Sequence, residues 1–240
     1  MAVRFLSAGD RALVVEFGDR VDPELSDKVL RLDARLRAAP LPGVVETVPT
    51  FRSLTLYYDP LVTGRRDLEP AVRGLLGRRG GGRRGARLWH IPICYEAPFA
   101  PDLAEVARLT GLAPAEVAER HSAPQYRVYM IGFLPGFPYL GDLPAELALQ
   151  RRADPRVKVP AGSVAIATNL SAIYPYESPG GWHLIGATPV RLFAPERAPP
   201  ALLAAGDGVR FAPVDAARFG AIRSAAAAGD YPVANEAIGE

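Results

Sequence analysis

Gly132-Phe133-Leu134-Pro135-Gly136-Phe137-Pro138-Tyr139-Leu140-Gly141 packs three glycines, two prolines and three aromatics into ten residues. Proline removes a backbone donor and fixes φ, and glycine is kept where φ must be positive or where backbone must approach closely. Neither a helix nor a central strand is therefore expected to run through this stretch. Aromatics alternating with such breakers build one of two things. One is a rigid, partly exposed wall facing a ligand or another chain; the other is a buried corner that closes a β-barrel.

Downstream, Val159-Pro160-Ala161-Gly162-Ser163-Val164 is followed by Ile173-Tyr174-Pro175-Tyr176-Glu177-Ser178-Pro179-Gly180-Gly181-Trp182-His183-Leu184-Ile185-Gly186. Here the breakers flank groups that chemistry uses: Ser163, Tyr174, Glu177, Ser178 and His183. A carboxylate and an imidazole converging at one loop could share a proton or orient a carbonyl substrate, which makes Glu177 and His183 candidates. For Glu177 a turn-capping role and for His183 a hydrogen-bonded strand position are the structural alternatives. Arg151, Arg152, Arg156 and Lys158 precede the Pro160-Ala161-Gly162 turn. Alternation puts Arg156 and Lys158 on one strand face, able to receive a carboxylate or phosphate, with Lys158 beside the motif as the third candidate. Ser163 lacks the Gly-x-Ser-x-Gly elbow, so a triad nucleophile is not expected.

The runs GFLPGFPYLG, VPAGSVAIA and IYPYESPGGWHLIGATP, in this order, resemble the signature of the family that contains KipI, the B-type component of bacterial 5-oxoprolinase and allophanate hydrolase subunit 1. The lead-in His121 to Met130, Gly9-Asp10-Arg11-Ala12-Leu13 and Pro49-Thr50-Phe51-Arg52-Ser53-Leu54 fit the same family. The resemblance implies a cyclophilin-like β-barrel and a B-type subunit that opens 5-oxoproline to glutamate with C-type and A-type partner subunits. It implies ATP as the complex's cofactor, since phosphorylation would activate a poor lactam electrophile. Glu177, His183 and Lys158, the catalytic candidates read from the residues, would be polar contacts of the pocket. The substrate pocket would be walled by Phe133, Phe137 and Tyr139, with Pro135, Gly136, Ser163, Tyr174, Ser178, Gly180, Gly181 and Trp182 as further contacts. The same aromatic loop is expected to share in a contact with the C-type subunit. Alternatives within the family are a carboxyltransferase-like subunit acting on urea-type amides and a KipI-like inhibitor of a sensor histidine kinase. The chain departs from the family pattern at Ala167-Thr168-Asn169-Leu170-Ser171-Ala172, where glycines and an amide are expected.

The 240 residues can bury one large core or two small ones; 49% apolar and 22% charged residues are ordinary for a globular protein. No apolar run is long enough to span a membrane. The single cysteine, Cys94, sits in apolar alternation and reads as a buried strand residue. With no signal-like leader, a reducing cytoplasm is the expected setting. There is no Gly-x-x-x-x-Gly-Lys-Ser/Thr loop for a nucleotide, and the three histidines show no metal-ligand spacing. The run Arg78 to Arg87 holds most of its charge among glycines, without interleaved aromatics, and reads as a linker rather than a nucleic-acid surface.

Around that linker the pattern is α+β. Strands are expected at 12–17, 44–48, 54–58 and 88–95. Helices are expected from Asp22-Pro23 to about residue 38 and from Asp67 to Leu76. The order β-α-β-β-α-β matches a ferredoxin-like split, so residues 1–87 read as a small α/β domain and 88–240 as a barrel domain. Two short helices, 102–110 and 114–121, imitate a helix-turn-helix. Glu116 and Glu119 on the second would oppose phosphates, so the pair is read as a cap on the barrel. Short strands are expected at 126–131, 163–167, 182–187, 190–193 and 209–211. A helix should end near Gly229, with the tail from Tyr231 trailing over the surface.

Overall fold

The computed structural model describes residues 3–77 and 85–238; the arginine- and glycine-rich run, 78–84, lies outside the described residues. The chain divides into two compact units, residues 1–86 and 87–240.

The first unit is one antiparallel sheet of four strands with two helices. β1 (Arg4–Ser7), β2 (Ala12–Glu16), β3 (Val44–Pro49) and β4 (Ser53–Tyr58) lie in the order β1-β2-β4-β3. Helix α1 (Pro23–Ala38) starts where the sequence places it: the Asp22 carboxylate accepts from the backbone N–H groups of Glu24 and Leu25, with proline at the first helical position. Helix α2 spans Arg65–Leu76. Val29, Leu32 and Leu36 of α1 and Leu68, Val72 and Leu75 of α2 pack on Phe5, Leu13, Val15, Leu54 and Leu56 of the sheet. The split β-α-β-β-α-β order is corrected in one respect. The strand after α2 belongs to the second unit, and the edge position beside β2 is filled by β1 from the N-terminus.

The second unit centres on an eight-stranded sheet. Its strands are β5 (Arg87–Ile93), β6 (Gln125–Ile131), β7 (Pro138–Gly141), β9 (Ser163–Ala167), β10 (Leu170–Ile173), β12 (His183–Ala187), β13 (Gly208–Pro213) and β14 (Asn235–Ala237), in the order β12-β9-β10-β7-β6-β13-β5-β14. The sheet curls until Cys94 and Ala187 exchange backbone hydrogen bonds, 2.8 and 3.0 Å, joining the end of β5 to the end of β12. A short ribbon, β8 (Arg156–Val159) with β11 (Ser178–Gly180), lies outside it. Helices α3 (Leu103–Thr110) and α4 (Pro114–Ser122) meet at Gly111, whose φ of 72° ends α3, and α5 (Ala216–Ala228) follows β13.

Three expectations are revised. Pro138–Gly141 is a central strand between β6 and β10, despite its breakers. Pro138 occupies the strand's first position, where its missing donor costs least, and Gly141 leaves room for the Tyr129 ring, which a Cβ there would overlap. Val190–Phe193 forms only the isolated bridge Phe193–Ala201, not a strand. The tail, instead of trailing, adds β14 to the edge of β5 through 235–237.

Candidate functional site

Strands β9, β10 and β12 are buried on both faces, and their alternation shows why. Val164, Ile166, Ile173 and Ile185 point into the main core, while Ala165, Ala167, Ala172 and Leu184 point the other way. On that second face the small alanines admit a layer of aromatics. Phe137 sits at its centre, with ring centroids of Tyr139 and Tyr174 at 5.0 Å, Phe133 at 5.4 Å and Trp182 at 6.5 Å. Phe137 is 2% exposed, Tyr174 and Trp182 are also buried, and Tyr139 is half-buried. The aromatic stretch is thus a buried layer over the sheet rather than an open wall. Phe133, 63% exposed with φ of 69°, and Pro135 are its exposed members. Gly136 takes φ of 77° against Phe193, and Gly180 lies where a side chain would collide with the Tyr174 hydroxyl. Burial, then the neighbouring Tyr139, raises the Tyr174 phenol to about 12, so it is a neutral hydrogen-bonding group at ordinary pH.

The three catalytic candidates fall at opposite ends of one ribbon. Ser178 pairs with Val159 and Gly180 with Arg156, and further along the Arg152 N–H donates to the Gly181 carbonyl at 2.7 Å. Lys158 and Glu177 meet at one end as a 3.2 Å ion pair, 75% and 57% exposed. His183 lies at the other end, 5% exposed. Its Nε2 must donate to the Gln150 carbonyl at 3.0 Å, because a carbonyl can only accept. Its Nδ1 is buried without a partner, as is the Ser178 hydroxyl. Glu177 and His183 therefore do not converge on one proton. Arg156 is likewise engaged: with Arg152 it holds the buried Asp102 carboxylate, at 2.5 and 2.9 Å from Arg156 and 3.3 Å from Arg152.

His121 is fully buried in a chain of hydrogen bonds. The Tyr95 hydroxyl donates to Nδ1 at 2.7 Å, Nε2–H donates to the Ser171 hydroxyl at 2.9 Å, and Ser171 donates to the Ala165 carbonyl at 3.3 Å. Every polar atom is satisfied by the neutral ring, and burial holds its pKa at about 3. It is a core residue.

The sequence motifs converge on a different place. A cleft of about 540 Å³ in the second unit is lined by Pro160, Ala161, Gly162 and Ser163 of one motif and by Ala187, Thr188 and Pro189 of the other. Gly162 has φ of 83°, and a Cβ there would come within 2.5 Å of the Thr188 carbonyl, so only glycine allows the two turns to meet. Thr188 N–H donates to the Gly162 carbonyl at 2.8 Å, and Gly162 N–H to the Tyr174 carbonyl at 2.7 Å. The opposite wall is Pro98, Phe99, Pro101, Phe219 and Arg223, with Arg191 also on the lining. Prolines, a glycine and the tilted Phe99–Phe219 pair, 4.1 Å between centroids, restrict the conformations open to this lining. Of the residues expected at the site, Ser163 lines the cleft. Phe99, Arg191, Phe219 and Arg223 join it from outside the quoted motifs, the last two from the alanine-rich α5.

Residues 3–203 match the family described as carboxyltransferase domain, subdomain C and D. The chain belongs to that family. It is similar to the B-type subunit of 5-oxoprolinase from Bacillus subtilis (strain 168), with 39% identity covering 88% of this chain and 93% of that protein. It is likewise similar to the B-type subunit of 5-oxoprolinase from Escherichia coli O157:H7, with 40% identity covering 85% of this chain and 93% of that one. The crystal structure of TTHA0988 superposes with a TM-score of 0.77 at 39% identity, over 86% of this chain and 40% of that chain, so this chain spans less than half of it. In the carboxyltransferase-domain family match, Ser163, Gly162 and Thr188 fall inside the matched stretch, whereas Phe219 and Arg223 lie beyond it. Among the described residues, no group of three or more His, Cys, Asp or Glu side chains is placed to hold a metal, and no helix is long and apolar enough to cross a membrane.

Proposed function

We propose that this chain is the B-type subunit of an ATP-dependent 5-oxoprolinase, opening the lactam of 5-oxoproline to glutamate. The observation that carries this reading is the 39% identity to the Bacillus subtilis 5-oxoprolinase component along nearly the whole of both chains. C-type and A-type subunits complete the complex, which works in the cytoplasm, and the second unit is its cyclophilin-like barrel. Water adds across the lactam C–N bond, giving the free amine and the second carboxylate, and ATP supplies the activation that an unstrained amide lacks. This chain's contribution is the cleft at Gly162 and Ser163. Its volume suits a small molecule, its lining is largely apolar, and the Ser163 hydroxyl can hydrogen-bond the amide. Lys158 and Glu177 are the exposed acid–base candidates next to that motif in sequence, and His183, hydrogen-bonded to the Gln150 carbonyl, lies outside the cleft lining.

The test is glutamate release from 5-oxoproline with ATP, using the purified chain alone and with its partner subunits. Turnover is expected only in the assembled complex. Robust release by the chain alone would overturn the division of labour, and none from the complex would overturn the function.

A further inference from the structure

The cleft carries polar groups that folding does not use. No hydrogen bond to the Ser163 hydroxyl occurs among the described residues. The Arg223 guanidinium has no ion pair or hydrogen bond among them either; its contact is with Phe219, whose ring it overlies at 5.7 Å from the centroid. Arg191, on the same lining, differs in being paired with Glu196. Much of the remaining lining is apolar, with Phe99, Phe219 and several prolines.

We infer that Arg223 is the residue that recognises the substrate's carboxylate, an assignment that rests on the 5-oxoprolinase reading above. 5-Oxoproline carries the same set of chemistries as the cleft lining. Its lactam amide is a hydrogen-bonding edge, its ring methylenes are apolar, and its carboxylate sits on the carbon next to the ring nitrogen. The hydroxyl meets the amide, the aromatic and proline walls meet the methylenes, and the guanidinium fork meets the carboxylate in two parallel hydrogen bonds. Arg223 is exposed on α5 and has no internal counter-ion among the described residues, so its fork is free to take a carboxylate at the cleft. Residues 3–203 carry the family match, so family membership does not assign this role to Arg223.

Steady-state kinetics of the assembled complex with wild type, Arg223→Gln and Arg223→Lys test this, with KM measured separately for 5-oxoproline and for ATP. Losing a charge-assisted contact predicts that Arg223→Gln raises KM for 5-oxoproline about 10- to 100-fold. The carboxylate is held alike in ground and transition states, so kcat should change by no more than about twofold. Lysine keeps the charge without the fork and should recover part of the loss. 2-Pyrrolidinone, the lactam without a carboxylate, should inhibit wild type and Arg223→Gln equally. An active Arg223→Gln complex with unchanged KM for 5-oxoproline overturns the assignment and leaves the 5-oxoprolinase reading standing. A rise in KM for ATP instead overturns it in favour of a phosphate. A wild-type complex with no 5-oxoproline turnover overturns the 5-oxoprolinase reading itself.

Discussion

His121 is held neutral inside a closed hydrogen-bond chain, and this makes it the clearest pH-dependent residue of the fold. Its pKa in the folded protein is about 3, against about 6.5 for a histidine in an unfolded chain. Between those values the unfolded state binds one proton more. The contribution is therefore complete above about pH 6.5 and shrinks by about 1.4 kcal/mol for each unit that pH falls below it. Urea unfolding between about pH 7 and pH 5 should show a steeper loss for wild type than for His121→Gln, and equal slopes would show that the ring is protonated inside the fold. Glu177 is the opposite kind of residue, exposed and paired with Lys158 across 3.2 Å. Exposed pairs contribute about 0–1 kcal/mol, so Glu177→Gln should leave the melting temperature almost unchanged. If its carboxylate moves a proton, turnover of the complex falls about a hundredfold or more; a fully active variant removes it from the chemistry. Phe137, read in sequence as part of an exposed wall, belongs to the core. Phe137→Ala should cost about 3–5 kcal/mol in a denaturant titration, and a loss under about 1 kcal/mol would show that the aromatic layer is loose.

Among the elements, α3 shows how a local signal can be present and put to another use. Asp102 stands at the N-cap position of that helix, where aspartate ordinarily accepts from the first-turn N–H groups, yet its side chain makes no capping hydrogen bond. It reaches instead to Arg156 of β8, to Arg152 and, at 2.6 Å, to the Leu184 N–H of β12. One buried carboxylate thus ties a helix to two strands distant in sequence. Asp102→Asn keeps the shape but leaves the arginines without their counter-charge. Breaking such a pair on one side costs about 3–5 kcal/mol, so the denaturant midpoint should fall accordingly. A shift worth less than about 1 kcal/mol would mean that solvent already screens the cluster. The same contrast governs what was legible beforehand. Helix α1 was readable because its cap, its proline and its Val29, Leu32 and Leu36 stripe are all local. Strand β7 was not, because the reason a glycine is tolerated there is the ring of Tyr129, twelve residues away in sequence. Strand β1 was missed because Arg4-Phe5-Leu6-Ser7 is too short to show a period, and it is recognisable only by its partner β2.

For the whole molecule, the candidate site was legible by motif but not by membership. Gly162 and Ser163 announce a tight turn beside a polar group, and the structure puts them on the cleft. Phe219 and Arg223 come from a helix whose sequence is mostly alanine, and only the closure of the sheet brings them opposite. That closure depends on Cys94 pairing with Ala187, so everything needed to build the cleft lies within residues 87–240. Each unit also has its own core: Phe5, Leu13, Val29, Leu54 and Val72 in the first, and Ile91, Val128, Val164, Ile185 and Phe211 in the second. A separate core of this size is what lets a segment fold alone. Cutting between Ala86 and Arg87 keeps β5 whole, which matters because β5 pairs with both β13 and β14. The fragment 87–240 should therefore unfold in a single cooperative transition in denaturant, with near-ultraviolet circular dichroism from the packed Phe137, Tyr174 and Trp182 layer intact. A gradual transition, or a fragment that keeps far-ultraviolet but loses near-ultraviolet signal, would show that packing of residues 87–240 requires the first unit.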